Sequence, residues 1–156
     1  MKKILLRSGF VSFLFLFSSC VANLDRVRID SYSLENVAFS GASKAKINLS
    51  IKVYNPTARK LTLEHAAFDV SGDGGVIARL HLMEAVEIPA ESDGYHSLPV
   101  ELNITNMLAL LAGGMDLNNP PLDKLLLSGS LKVKAGMLSR TITVQNKTIG
   151  QLLKEL

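Results

Sequence analysis

Lys44-Ala45-Lys46-Ile47-Asn48-Leu49-Ser50-Ile51-Lys52-Val53-Tyr54 is the stretch that decides the fold class. Ala45, Ile47, Leu49, Ile51 and Val53 are apolar, while Lys44, Lys46, Asn48, Ser50 and Lys52 between them are polar. A strand sends successive side chains to opposite faces, so this segment has one face for a core and one for water. Outward from it the pattern recurs. Leu98, Val100, Leu102 and Ile104 alternate with Pro99, Glu101, Asn103 and Thr105, and Leu131, Val133 and Ala135 alternate with Lys132 and Lys134. Val76, Ala78, Leu80 and Leu82 take the inner phase against Ile77, Arg79, His81 and Met83, and weaker alternation covers 27–39 and 138–145.

One segment changes phase. Leu61 and Leu63 are apolar at odd positions, whereas Ala66, Phe68 and Val70 are apolar at even ones. A slip of one residue would turn half of these to solvent, so a bulge or break is expected at 64–66. Turn chemistry punctuates the strands at Asn55-Pro56-Thr57, Ser71-Gly72-Asp73-Gly74-Gly75, Ala90-Glu91-Ser92-Asp93-Gly94 and Ala135-Gly136. Short alternating strands between such turns predict an all-β antiparallel sandwich. Two short helices are expected with it. One covers 106–112, capped by Thr105 or Asn106 and stopped by Gly113-Gly114. The other is C-terminal and opens on a capping box of Thr148 and Gln151. The loop holding Asn118-Asn119-Pro120-Pro121 is the segment expected to move most.

The N-terminus reads as an export signal. Lys2, Lys3 and Arg7 make it positive, and 4–17 is apolar but for Arg7, Ser8, Gly9 and Ser12. That run falls short of the ~20 apolar residues a spanning helix needs and has the proportions of a signal peptide. It ends in Phe17-Ser18-Ser19-Cys20, which resembles a lipobox, with Phe17 where that pattern usually has Leu. Cys20 is the only cysteine, so no internal disulfide is available, and lipid attachment at Cys20 is the modification expected. Acyl chains there would hold the chain firmly, since each buried CH₂ contributes about 0.8 kcal/mol. The expected organisation is 1–19 as signal peptide, 20–28 as lipidated cysteine and tether, and 29–156 as one sandwich domain.

Charge narrows the partners. Of 17 Lys and Arg, three lie in the signal, and the remaining 14 balance the 14 Asp and Glu. A formally neutral domain lacks the clustered cations that phosphate neutralisation requires, so no nucleic acid is expected.

Ile51-Lys52-Val53-Tyr54-Asn55-Pro56, closing a strand, resembles the signature of late embryogenesis abundant type 2 proteins, which contain the water-stress and hypersensitive-response (WHy) domain. The similarity continues through the 61–70 strand, the hairpin at 71–75, Ile88-Pro89-Ala90, the strand 98–105, the helix 106–112 and closing strands around 126–135 and 138–145. It covers most of 31–148, with Thr57 where a second Asn is common. The resemblance implies an immunoglobulin- or fibronectin III-like sandwich and an association with desiccation and stress tolerance. It carries over no catalytic residue. Asn55-Pro56 also has a local reading: proline holds Asn55 extended, lacks a ladder donor, and so ends the strand, while Asn55 can bond nearby backbone.

Candidates for chemistry are few. Asp69-Val70-Ser71-Gly72-Asp73-Gly74 has the oxygens and sixth-position glycine of a calcium loop, but Leu80 stands where that loop needs a bidentate Glu. A hairpin turning at Asp73-Gly74 accounts for the same residues. His65, His81 and His96 lack metal-ligand spacing and are read as surface or strand-edge side chains. No Gly-x-Ser-x-Gly elbow or phosphate loop occurs, and Asn103-Ile104-Thr105 and Asn146-Lys147-Thr148 match a glycosylation pattern by chance. Lys132 and Lys134 are read as a solvated strand face. The expectation is a non-enzyme without catalytic or metal-binding residues, cofactor or evident small-molecule substrate.

Two roles fit that expectation. One is a stress-linked stabilising or binding module, tethered in the envelope. The other is an assembly accessory that docks a specific envelope protein through a sheet edge or the helix containing Met107, Leu108, Leu110 and Leu111, too apolar all round to bury on one face. Val21 follows Cys20 in place of the Asp that typically retains lipoproteins at the inner membrane, so the periplasmic face of the outer membrane is the expected location.

Overall fold

Alternation of the kind read in 44–54 leaves each strand with one face to bury, and the strands bury those faces against one another. The structure, a computed structural model, describes residues 24–112 and 124–155. After a 3-10 turn at Leu24–Arg26 come β1 (Arg28–Phe39), β2 (Lys44–Asn55), β3 (Leu61–Gly72), β4 (Gly75–Leu82), β5 (Val86–Ile88), β6 (Ser92–Ile104), α1 (Met107–Ala112), β7 (Leu126–Ala135), β8 (Leu138–Thr148) and α2 (Ile149–Glu155). All pairings are antiparallel. The expected all-β antiparallel sandwich with two short helices is the fold observed. Its layers belong to one hydrogen-bonded sheet in the order β1-β2-β6-β4-β3-β7-β8, with β5 also on β3. β4 carries the ladder from the β1-β2-β6 layer to the β3-β7-β8 layer, which leaves β1 and β8 at the ends of this order among the described strands.

The phase change in β3 is a bulge: Leu63 pairs with Val133 and His65 with Lys132, so Glu64 is the extra residue. It keeps Leu61 (2% exposed) and Phe68 (8%) on the same inner side. The weak alternation of β1 has the same cause twice, with register shifts between Ile29 and Ser31 and between Leu34 and Asn36.

The β3-β4 hairpin corrects one expectation. Gly72 pairs with Gly75 around Asp73-Gly74, but the positive φ lies at Gly75 (+100°), and a shift follows between Val70 and Ser71. A left-handed glycine after the turn pair adds a bulge and moves the phase. Val76 is consequently exposed, while Ile77, expected on the outer face, is 3% exposed in the core.

Both helices start as expected. Ala109 N–H donates to Asn106 Oδ1 at 2.9 Å, which makes Asn106 the cap of α1. Thr148 N–H donates to Gln151 Oε1 at 3.0 Å and Gln151 N–H to Thr148 Oγ1 at 3.3 Å, completing the box of α2. The export segment, Cys20, Gly113-Gly114 and the Pro120-Pro121 loop lie outside the described residues.

Asn55 is fully buried where β2 ends. Its Nδ2 donates to Pro89 O at 2.8 Å and Arg59 O at 3.0 Å, and its Oδ1 accepts from Thr57 N–H at 3.1 Å and Thr57 Oγ1 at 2.7 Å. Asn55-Pro56 and Ile88-Pro89-Ala90 are thus bonded to each other.

Candidate binding site: an apolar channel inside the sandwich

Strand alternation says which side chains face inward but not whether the layers meet. Here they meet at two places. A larger cluster gathers Ala66, Phe68 and Val70 of β3, Ile77 and Ala78 of β4, Leu127 and Leu131 of β7, Val144 of β8 and Leu152 of α2. A smaller one, around Ile51, Val53, Leu61, Ile88 and Ala135, takes Leu24, Val27 and Ile29 against it. Inward residues between them, including Leu34, Ile47 and Leu49, are only half-buried and join neither cluster.

The space they face is a channel of about 440 Å³, walled by residues of β1 to β8 together with Leu24 and Asp25 at one end and Ile149 and Leu152 of α2. Such a volume falls within the roughly 300–1,000 Å³ of small-molecule sites. Nearly every lining side chain is aliphatic or aromatic, and the charged ones are Asp25 and Arg140. Ordered water requires two to four polar partners, which these walls supply only near that pair. Such walls therefore suit apolar groups.

Residues of both edge strands, β1 and β8, line the channel along the seam between them. At one end Arg140 reaches Asp25, with Nη1 to Oδ1 3.6 Å. Both side chains are exposed, so the pair is a weak clip rather than a structural bond. At the other end α2 lies against both β8 and β1. On β1, Val37 (36% exposed) and Phe39 (51%) are apolar side chains that line the channel and also meet solvent.

Arg140 was the residue to notice in the sequence. It occupies the same phase of β8 as Ile142 and Val144, and Arg140 and Ile142 both line the channel. A charge on the apolar phase of a strand signals either a protected edge or a polar group wanted at a cavity.

The residues singled out from the sequence do not converge. Asp69 pairs with Arg79 at 3.3 Å across β3 and β4, and Asp73 sits in the turn, exposed. Among the described residues no three of His, Cys, Asp or Glu come together as a metal group. His65 is exposed. His81 lies opposite Glu101, with Nε2 3.8 Å from Oε1. His96 departs from expectation: it pairs with Ile51 on the inner phase of β6, and its Nε2 is buried without a hydrogen-bond partner. On the outer face the Glu64 bulge sets its carboxylate between Lys132 (3.0 Å) and Lys134 (3.8 Å). The Lys132 hydrogen bond, aided by both charges, holds the Glu64 carboxyl below its ordinary 4.5. In α1, Met107 and Ala109 pack on the larger cluster while Leu108 is 80% exposed. Among the described residues no helix is long and apolar enough to cross a membrane.

No family model and no curated protein matches the chain. Among solved structures it is similar to a protein from Archaeoglobus fulgidus, with 13% identity, 78% of this chain and 99% of that one covered, and a TM-score of 0.46. It is also similar to the Northeast Structural Genomics Consortium target SoR45, with 11% identity, 80% and 86% covered, and a TM-score of 0.42.

Proposed function

We propose that this chain is a non-catalytic lipoprotein of the cell envelope, anchored through acylated Cys20 on the periplasmic face of the outer membrane. There its sandwich acts as a stress-related binding module that takes an apolar molecule into its interior. The observation that carries this reading is the 440 Å³ channel with its aliphatic walls. The lipobox-like Phe17-Ser18-Ser19-Cys20 supports the anchor. The resemblance to late embryogenesis abundant type 2 proteins supports the link to drying and osmotic stress.

Deleting the gene is expected to lower survival of desiccation or osmotic shock. Rescue should require Cys20 and an open channel. Cys20→Ser, which blocks acylation, and Leu49→Trp, which fills the channel, should each fail to rescue, whereas Ala at His65, His81, His96, Asp69 or Asp73 should rescue fully. Loss of rescue by one of those five, with folding intact, would point to a hidden catalytic or metal site and end this reading, because a missing acid, base or ligand typically costs orders of magnitude in rate.

A second reading, docking of one envelope protein, is favoured by the exposure of Leu108 on α1. Crosslinking in intact envelopes that captures one stoichiometric partner, lost in Leu108→Asp, is the result it requires.

A further inference from the structure

The end of the molecule nearest the N-terminus brings together features that single out one kind of occupant. Leu24, Asp25 and Arg140 line the channel there, with the Asp25 and Arg140 side chains exposed to solvent, and Cys20 precedes Leu24 by four residues, a span of at most about 14 Å when extended. The β7-β8 turn lies at this same end, since Ala135 packs in the cluster that also receives Leu24. At its tip Met137 is 97% exposed and Leu138 48%. The Arg59 side chain lies against this turn, within about 3.5 Å of where a Cβ on Gly136 would sit, and Arg140 stands two residues beyond Leu138. Exposed apolar side chains flanked by arginines suit a surface of anionic lipid.

From this placement we propose that the channel receives one acyl chain of an anionic membrane lipid. The chain enters at the Asp25–Arg140 end of the seam, and its head group stays outside on Arg140. Size sets the number of chains. A cavity of about 150 Å³ accommodates benzene, so 440 Å³ corresponds to roughly eighteen carbons on the same scale, which is one long chain and not two. Charge sets the polarity of entry, because the channel's two charged residues stand together at one end while the apolar Ile149 and Leu152 line the other. An anionic head competes with Asp25 for Arg140, and the exposed 3.6 Å pair is weak enough to exchange. The inference rests on the binding-module reading above and names its ligand.

The test uses the full, acylated chain reconstituted in vesicles of phosphatidylethanolamine and phosphatidylglycerol. Two probes carry a diazirine at the end of an acyl chain: palmitate and phosphatidylglycerol. After irradiation and trypsin digestion, label is expected on inner-phase residues of β2 and β6, such as Ile47, Leu49 and Leu98. Which probe labels decides whether a free fatty acid or a phospholipid supplies the chain. Leu49→Trp should lower labelling at least tenfold, while Lys46→Trp on the outer phase should leave it unchanged. Arg140→Glu changes an exposed side chain and so tests entry without disturbing the core. It should lower labelling by both anionic probes about fivefold at low salt and leave a diazirine-bearing long-chain alcohol unaffected. Label confined to outer-phase residues, or equal label in wild type and Leu49→Trp with melting unchanged, would overturn the acyl-chain assignment. If Leu49→Trp still fails to rescue stress survival in that case, the channel binds something else and the broader reading stands. If it rescues, both fall.

Discussion

In β3, inward-facing Ala66, Phe68 and Val70 are 7%, 8% and 5% exposed. In the opposite layer, inward-facing Leu34, Ile47 and Leu49 are half-buried, and Val37 and Phe39 reach 36% and 51%. Both layers have the same alternation and the same kinds of side chain. The difference lies in what closes on them: β3 is flanked by β7 on one side and by β4 and β5 on the other, with Val144 of β8 and Leu152 of α2 added to its cluster. β1 is an edge, and among the described residues no strand pairs with its outer side. Elsewhere in the β1-β2-β6 layer Ala45, Ile51, Val53, Val100 and Ile104 are buried, so the loose packing is local to the stretch of β2 that faces the β1 edge.

Core substitutions test this contrast most strongly. Phe68→Ala should cost about 3–5 kcal/mol, because it removes a large side chain that is 8% exposed and packed in the larger cluster. Leu49→Ala should cost only about 1 kcal/mol, since it enlarges a space already present and forfeits only partial burial. Denaturant unfolding of the full chain in detergent measures both, and equal losses would mean that the β1-β2-β6 layer is packed as tightly as the other.

Next in size is the buried amide that joins the β2 end to the start of β6. Asn55→Ala removes four hydrogen bonds and leaves the Thr57 N–H without its acceptor, while Ser92 Oγ still donates to Pro89 O and Thr57 Oγ1 to Arg59 O. It should destabilise by about 3 kcal/mol. A cost below about 1 kcal/mol in the same unfolding measurement would show that the knot is wet and replaceable. Lys52→Ala, on the outer phase beside Asp93 at 3.5 Å, should stay within about 0.5 kcal/mol. A larger loss would place Lys52 on the wrong face.

The smallest effect is electrostatic. Glu64, with its carboxyl held below 4.5 by Lys132, contributes stability that is present above the unfolded pKa and disappears as pH falls through the folded one. Because the site is solvated, the effect on unfolding should be slight. The check is carboxyl NMR: the Glu64 signal should titrate below 4.5 in wild type and move up in Lys132→Met.

How legible was all this in the residues? The strands, the Glu64 bulge and both helix caps were readable, because each rests on local spacing: period two, one phase change, an Asn or Thr at the right offset. The exchange of Val76 for Ile77 was not. It depends on whether the turn at Asp73-Gly74 places its left-handed residue inside or just after the pair, and both glycines permit either. The channel was hidden for a more general reason. Alternation in Ile47, Leu49 and Ile51 is identical whether the facing layer touches them or stands off, so the distance between layers is absent from any one strand. The local clue was Arg140 on an apolar phase. His96 was unreadable as an inward residue, because Gly94 and Asp93 beside it looked like turn.

The topology also sets a clock. Lys44 pairs with Asn103 and Leu61 with Ala135, so neither ladder that builds the layers can form before most of the chain is available. Such non-local pairing places folding on a scale of about milliseconds to seconds. A lipoprotein crosses the inner membrane as an unfolded thread. For the role proposed here, ladders between residues so far apart are a safeguard: the β1-β2 and β3-β4 hairpins are local, but the layers they belong to stay incomplete during passage and close once the anchor is in place.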